Sequence, residues 1–255
     1  MQLEGRVAIV TGAGDGIGAA VARWFAAEGA GVLVAELNEE TGRATAERIG
    51  GRFVRTDVGD KAQVRAMVDT ALEEWGGVDI LVNNAWSPGN VGRVEDKTDT
   101  MLARGLGIGF YGPFWAMQAC FPHMRRRGWG RVINMCSLNG VNAHMGTLEY
   151  NAAKEALRTL TRTAAREWAP TGVVVNAICP GAKSAAFHRM MSEHPELEAQ
   201  AAAMNPMGRI GDPDRDIAPA AVFLAGEGAR YVTGNTLFVD GGAHINGVAW
   251  APDLP

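Results

Sequence analysis

The sequence predicts a doubly wound α/β fold, a parallel β-sheet with helices packed on both faces. Three observations carry that expectation. Short apolar runs alternate with helical stretches from one end of the chain to the other, the pattern of repeated βαβ units. The runs are nearly continuous Val, Ile, Leu and Ala, as strands covered on both sides require. A cluster of glycines separates the first run from the first helical stretch.

Taken in order, Arg6–Thr11 reads as a buried strand and Ile17–Glu28 as an Ala-rich helix. Val32–Ala35 is a second strand, followed by a polar helix from about Glu39 to Ile49. Arg52–Thr56 is a third strand, Lys61–Trp75 a helix, and Asp79–Asn83 a fourth strand. The segment Arg104–Gly112 holds four glycines in its last eight residues. Each costs a helix about 1 kcal/mol relative to alanine, so a kinked or irregular helix is expected there. The second half continues with Arg131–Met135, a helix from about Tyr150 to Trp168, then Val173–Asn176 and Thr236–Asp240. No Pro/Ser-rich linker and no repeat beyond the βαβ unit interrupts this run, so residues 1–255 are expected to form one domain.

Composition narrows the function. Among 255 residues, 24 Lys and Arg face 28 Asp and Glu, a net charge of −4 with no basic stripe, which argues against nucleic acid as a partner. The longest apolar runs are strand-sized, so no membrane span is expected. The amino terminus enters a strand at Val7 with no signal-peptide pattern before it. Cys120, Cys136 and Cys179 are odd in number and lie in apolar contexts, as reduced core thiols of a cytoplasmic protein would. No Cys or His pair has ligand spacing, and no metal is expected.

The chemistry sits in two constellations. Thr11–Gly18 (TGAGDGIG) lies directly after a buried strand and directly before a helix. Glycines there let the backbone turn tightly and approach a pyrophosphate, whose charge the helix amino terminus stabilises. Glu36, eighteen residues beyond Gly18 at the end of the second strand, can accept hydrogen bonds from ribose hydroxyls and would repel a 2′-phosphate. Asp15 adds a second negative charge inside the loop, and both favour NAD over NADP. The second constellation is Ser137, Tyr150 and Lys154. Tyr150 and Lys154 are four residues apart and share a helix face, where an ammonium is expected to lower the phenol pKa. Tyr150 can then act as general acid or base, with the Ser137 hydroxyl hydrogen-bonded to the developing alkoxide.

Together these motifs resemble the short-chain dehydrogenase/reductase family over essentially the whole chain. Thr11, Gly12, Gly16 and Gly18 match its glycine loop, with Ile17 inside it. Asp57-Val58 is similar to the pair that contacts adenine, Asn83-Asn84-Ala85 to a segment lying along the cofactor, and Pro180-Gly181 to the turn beneath the nicotinamide. Lys183 in the following loop joins the cofactor-facing set, and Lys154 would also hold the nicotinamide ribose. The resemblance implies a Rossmann-type sheet of about seven strands, NAD as cofactor, and assembly as a homotetramer or homodimer. It also implies a substrate loop at about 182–207. It points to a small alcohol or ketone as the partner.

Four positions depart from the family pattern. Gly109 stands at the usual catalytic asparagine, whose main-chain carbonyl holds a water, and glycine retains that carbonyl. Trp86 replaces the glycine after Asn83-Asn84-Ala85. Ala185 stands at the usual threonine, beside Ser184, and Lys183 replaces an aliphatic residue. The expected substrate walls are Trp86, Leu138, Asn139, His144, Met145, Phe187 and Met191, with Leu148, His188, Met190 and Trp250 nearby. Their apolar, methionine-rich character suits an apolar or cyclic substrate. The expected activity is hydride transfer between a secondary alcohol, or its ketone, and NAD. Gly109 and Ala185 motivate the alternative, an attenuated NAD-binding protein with a structural or regulatory role.

Overall fold

A computed structural model describes residues 1–87, 89, 91–183 and 195–245. Its strands are β1 (Val7–Thr11), β2 (Gly31–Glu36), β3 (Arg52–Arg55), β4 (Ile80–Asn83), β5 (Gly130–Met135), β6 (Val173–Pro180) and β7 (Thr236–Val239). They form one seven-stranded parallel sheet in the order β3-β2-β1-β4-β5-β6-β7. The order reverses between β1 and β4, the switch point at which open α/β sheets bind ligands beyond the strand carboxyl ends.

The helices are α1 (Gly16–Ala27), α2 (Glu39–Ile49), α3 (Lys61–Trp75), α4 (Asp99–Leu106), α5 (Gly112–Arg127), α6 (Leu138–Val141), α7 (Leu148–Trp168), α8 (Pro195–Ala203) and α9 (Ala218–Ala225). Strand periodicity divides them into two layers. Ala8, Val10, Val32, Val34, Ile80 and Val82 point to one face and pack on Val21 and Phe25 of α1 and Ala221 and Leu224 of α9. The alternate residues Ile9, Leu33, Leu81, Val132, Val173 and Val175 point to the other. They pack there on Val64 and Met67 of α3, Met117 and Cys120 of α5, and Ala164 of α7. Strands buried on both sides explain why they read as unbroken apolar runs. No helix of the described residues is long and apolar enough to cross a membrane.

Most strand and helix ends fall within one residue of the sequence reading, and two differ by more. Strand β6 continues four residues past Asn176, because Ala177, Ile178 and Cys179 are wholly buried. Asn176 is tolerated mid-strand since its amide donates to the carbonyl of Val232 at 2.6 Å and accepts from the Asn235 amide at 3.1 Å. Helix α7 starts at Leu148, two residues before Tyr150. The irregular helix expected around Gly105–Gly112 is present: α4 gives way to a π-helical turn over Gly107–Tyr111 before α5 resumes. The Gly112 amide donates to the Gly107 carbonyl five residues back instead of four. Two of these glycines mark close approaches. A Cβ at Gly105 would lie 2.8 Å from the Cβ of Glu149, and one at Gly112 would lie 2.5 Å from the carbonyl oxygen of Val58.

Inside the sheet a short polar chain crosses three elements. The Asn83 amide donates to the Asn134 side-chain carbonyl at 2.8 Å. Asn134 in turn donates to the Thr161 hydroxyl at 2.8 Å, and that hydroxyl donates to the Leu157 carbonyl at 2.9 Å. All three side chains are buried, and Asn83 and Asn134 are register partners across β4 and β5. The cysteines are also buried, and burial pushes the thiols of Cys120, Cys136 and Cys179 up to about 12.

Replacing Thr161 with valine keeps the side-chain shape and leaves the buried Asn134 amide only the weak Met117 sulfur as acceptor. The expected loss is about 1–3 kcal/mol of unfolding free energy by chemical denaturation. An unchanged midpoint would show that the polar chain does not hold α7 to the sheet.

Candidate active site

The glycine loop between β1 and α1 is shaped by contacts that leave no room for side chains. Gly12 and Gly16 have φ of +63° and +54°, in the region that disfavours other residues. A Cβ at Gly12 would lie 2.7 Å from the Cα of Ala85, and one at Gly18 would collide with the Gly12 carbonyl oxygen. Asn84 ties the loop to the end of β4: its amide nitrogen donates to the carbonyls of Thr11 and Gly12, each at 3.0 Å. The Thr11 hydroxyl accepts from the backbone amides of Asn84 and Ala85 at 3.0 and 3.1 Å. Asn84 and Ala85 thus set the shape of the glycine loop, and Ile17 lies in the first turn of α1.

Asp15 caps α1. Its carboxylate accepts from the Gly16 amide at 2.6 Å, and its side chain is exposed. Glu36, at the end of β2, is held by three backbone amides. Oε2 accepts from Gly14 at 3.1 Å, and Oε1 accepts from Leu37 and Asn38 at 2.8 and 3.0 Å. A carboxylate this constrained stands beside the glycine loop at a fixed position. Beyond β3, Asp57 accepts from the Gly59 amide at 2.9 Å. Val58 lines a small recess with Thr11, Ala85 and Ile108. A nicotinamide dinucleotide fits this donor set: a positive-φ loop opening onto a twelve-residue helix, with a carboxylate fixed alongside it.

Ser137 follows β5 and caps α6, its hydroxyl accepting from the Asn139 amide at 3.1 Å. Tyr150 and Lys154 lie on the first turns of α7. Burial pushes the Tyr150 phenol above its usual range, and the hydrogen bond from Ser137 pulls the other way. This differs from the expectation that the ammonium would dominate. Spacing along a helix says nothing of desolvation, which disfavours the phenolate here. Lys154 is buried, its ammonium donates to the Met135 carbonyl at 2.7 Å, and burial holds its pKa below the usual lysine range.

Trp86 leans on this pair. Its ring meets that of Tyr150 edge-on, with centroids 4.8 Å apart and planes at 69°. Trp86 also lines a cavity of about 60 Å³ with Ser87, Met101, Arg104, Ile108 and Glu149. Leu138 and Asn139 are half-buried beside Ser137. His144 is exposed, and Met145 is 89% exposed, so neither is packed into a wall. Phe187 and Met191, with Ser184, Ala185, His188, Met190 and Trp250, lie outside the described residues.

Pro180 ends β6, and Gly181 continues through backbone bonds, donating to Val239 at 2.9 Å and accepting from Gly211 at 3.0 Å. A Cβ at Gly181 would lie 2.7 Å from the Cα of Asp240. The Lys183 ammonium pairs with Glu198 on α8, which directs it away from Gly181 towards that helix.

Sequence reasoning missed the Lys97–Glu149 ion pair, whose atoms lie 2.8 Å apart with both side chains at most 5% exposed. It fastens the chain after β4 to the residue preceding Tyr150. The position of Glu149 beside the tyrosine was a signal, but nothing in the sequence marks Lys97.

A family model described as enoyl-(acyl carrier protein) reductase matches residues 12–244. Galactitol 2-dehydrogenase (L-tagatose-forming) of Cereibacter sphaeroides is 39% identical over 248 residues, spanning 94% of this chain and 96% of that protein. The 2,5-dichloro-2,5-cyclohexadiene-1,4-diol dehydrogenase of Sphingobium indicum is 36% identical over 246 residues, spanning 94% and 97%. The structure of 3-ketoacyl-(acyl-carrier-protein) reductase from Brucella melitensis complexed with NADH superimposes with a TM-score of 0.89. It is 31% identical, covering 95% of this chain and 99% of that one. Agreement in fold, in motif and along nearly the full length leads to one conclusion: this chain belongs to the short-chain dehydrogenase/reductase family.

Proposed function

We propose that this oxidoreductase is an NAD-dependent dehydrogenase that oxidises a secondary alcohol and, in reverse, reduces the ketone. The observation that carries the reading is the convergence of Ser137, Tyr150 and Lys154 at the carboxyl ends of the central strands, beside a glycine loop. The nicotinamide, when bound, supplies the hydride acceptor or donor. The chain supplies the proton chemistry. Tyr150 takes the hydroxyl proton during oxidation and returns it during reduction, while Ser137 hydrogen-bonds the substrate oxygen. Lys154 favours the phenolate by its charge and would hold the nicotinamide ribose.

Gly12, Ile17 and Gly18 would cradle the pyrophosphate, and Asp57 and Val58 would face the adenine. Ala85, Pro180 and Gly181 would flank the nicotinamide end. Lys183 would join that set once released from Glu198. Glu36 supports NAD over NADP, because its carboxylate is held beside the glycine loop and would repel a 2′-phosphate there, and Asp15 would add to that field. Glycine at position 109 retains the main-chain carbonyl that the family uses for its water, so the attenuated reading gains nothing from Gly109 alone. Trp86 and Leu138, together with the loop at about 182–207, would wall an apolar or cyclic substrate. The names of a relative that acts on galactitol and one that acts on a cyclohexadiene diol are consistent with a secondary carbinol. A cytoplasmic homotetramer is the expected setting.

Tyr150→Phe is expected to lower kcat by roughly 10²–10⁴-fold. NAD affinity by titration calorimetry should stay within about threefold, well under 1.4 kcal/mol. Activity within tenfold of wild type would remove Tyr150 from the proton transfer. NAD should bind at least about tenfold more tightly than NADP, and Glu36→Ala should shrink that ratio. Equal wild-type affinities would overturn the role of Glu36.

The raised phenol pKa also sets the direction of the pH dependence. Oxidation needs the ionised phenol, so its kcat/KM should climb with pH towards the alkaline range. Reduction needs the protonated form and should fall over the same interval. Parallel slopes for the two directions would contradict a single tyrosine acting in both.

A further inference from the structure

Trp86 and Gly109 meet across the site. A Cβ at Gly109 would lie 2.8 Å from the Cζ3 atom of Trp86, 3.3 Å from its Cε3 atom, and 2.8 Å from the Cβ of Ala153 on α7. Gly109 is buried at the middle of the π-helical turn, so this backbone is pressed against both the indole and the catalytic helix. The same indole also meets the Tyr150 ring in an edge-on arrangement, with centroids 4.8 Å apart. The Lys154 ammonium stands 5.5 Å from the centroid of Trp86 and 5.6 Å from that of Tyr150. Its hydrogen bond goes to the neutral Met135 carbonyl, and the two aromatic faces add to that bond in offsetting the cost of burying the charge.

We infer that Trp86 is a positioning residue for the Tyr150–Lys154 pair, and that the missing side chain at Gly109 is the recess that admits its indole. The activity part of this inference rests on the proposed function; the recess does not. The geometry separates the role from plain packing. Leucine at position 86 would fill volume but offer no ring face to the ammonium. The other groups near the pair do not replace that face. Cys136 and Cys179 are neutral thiols. Glu155 is paired with Arg158, and Glu149 with Lys97. On α4, Arg104 donates to the Ser87 hydroxyl at 3.0 Å.

A double-mutant cycle on the full chain reads the recess without any substrate. Gly109→Ala alone is expected to lower the thermal midpoint by more than about 2 °C, or to prevent folding. In a Trp86→Gly background the same change should cost several-fold less, because the helix can move into the vacated space and away from Ala153. Equal costs in the two backgrounds would overturn the shared recess.

The positioning role is read from the pH profile of alcohol oxidation. Trp86→Phe should keep the wild-type alkaline limb. Trp86→Leu should move it upward by about half a pH unit, since a less stabilised ammonium favours the phenolate less. If the leucine variant does not fold, Trp86→Met serves in its place. Identical limbs for the aromatic and aliphatic variants would reduce Trp86 to a packing residue. A wild-type protein inert towards every alcohol would instead sink the proposed function, while the thermal cycle would still decide on the recess.

Discussion

Asn83, Asn134 and Thr161 hold the ends of two central strands against the helix that carries Tyr150 and Lys154. An amide group buried with no partner costs far more than a formed hydrogen bond returns, so this chain leaves little freedom in how α7 sits on the sheet. Lys154 adds a second point of attachment on the same helix through Met135, at the end of β5. Asn84, next to Asn83, binds the glycine loop to β4. The loop suited to a dinucleotide and the helix bearing Tyr150 are therefore referred to the same two strands. That common frame is what a hydride transfer needs, since donor and acceptor must be held within a small fraction of a bond length.

Electrostatics at the site follows from this burial. The phenol of Tyr150 is pushed up and the ammonium of Lys154 is pushed down, each towards its neutral form. Both shifts have desolvation as the leading cause, and both oppose the charge-separated pair that would be most reactive. Ser137 and the aromatic faces around Lys154 work against that tendency. Desolvation and these polar and aromatic contacts thus act in opposite directions on the same pair.

Much of this was legible in the sequence, for reasons that are local. The glycine loop could be read because a tight turn, a close approach to Ala85 and a helix start all require small residues within a short span. Ser137, Tyr150 and Lys154 could be read because four-residue spacing on a helix is a geometric fact. Strands buried on both faces advertise themselves by composition. The parts that were not legible depend on contacts between distant segments. Nothing along the chain links Trp86 to Gly109, Lys97 to Glu149 or Lys183 to Glu198. That Asp15 also caps α1 through the Gly16 amide was not read from the sequence. Met145 was assigned to a pocket wall by its apolar character, and its exposure could not be read from the sequence. The direction of the Tyr150 shift was missed since burial is a property of the folded surroundings.

The three buried thiols give the fold an internal clock. Cys136 and Cys179 share a cluster with Leu157 beside the catalytic end of β5 and β6, whereas Cys120 lies in the layer formed by α3, α5 and α7. Each is a poor nucleophile in place, so a thiol reagent can attack only when its surroundings open. The attack rates then count openings: one pair of sulfurs reports loosening around the active site, and the third reports a helix lifting from the sheet. Three atoms buried for packing thus offer separate chemical reporters on two regions of the core.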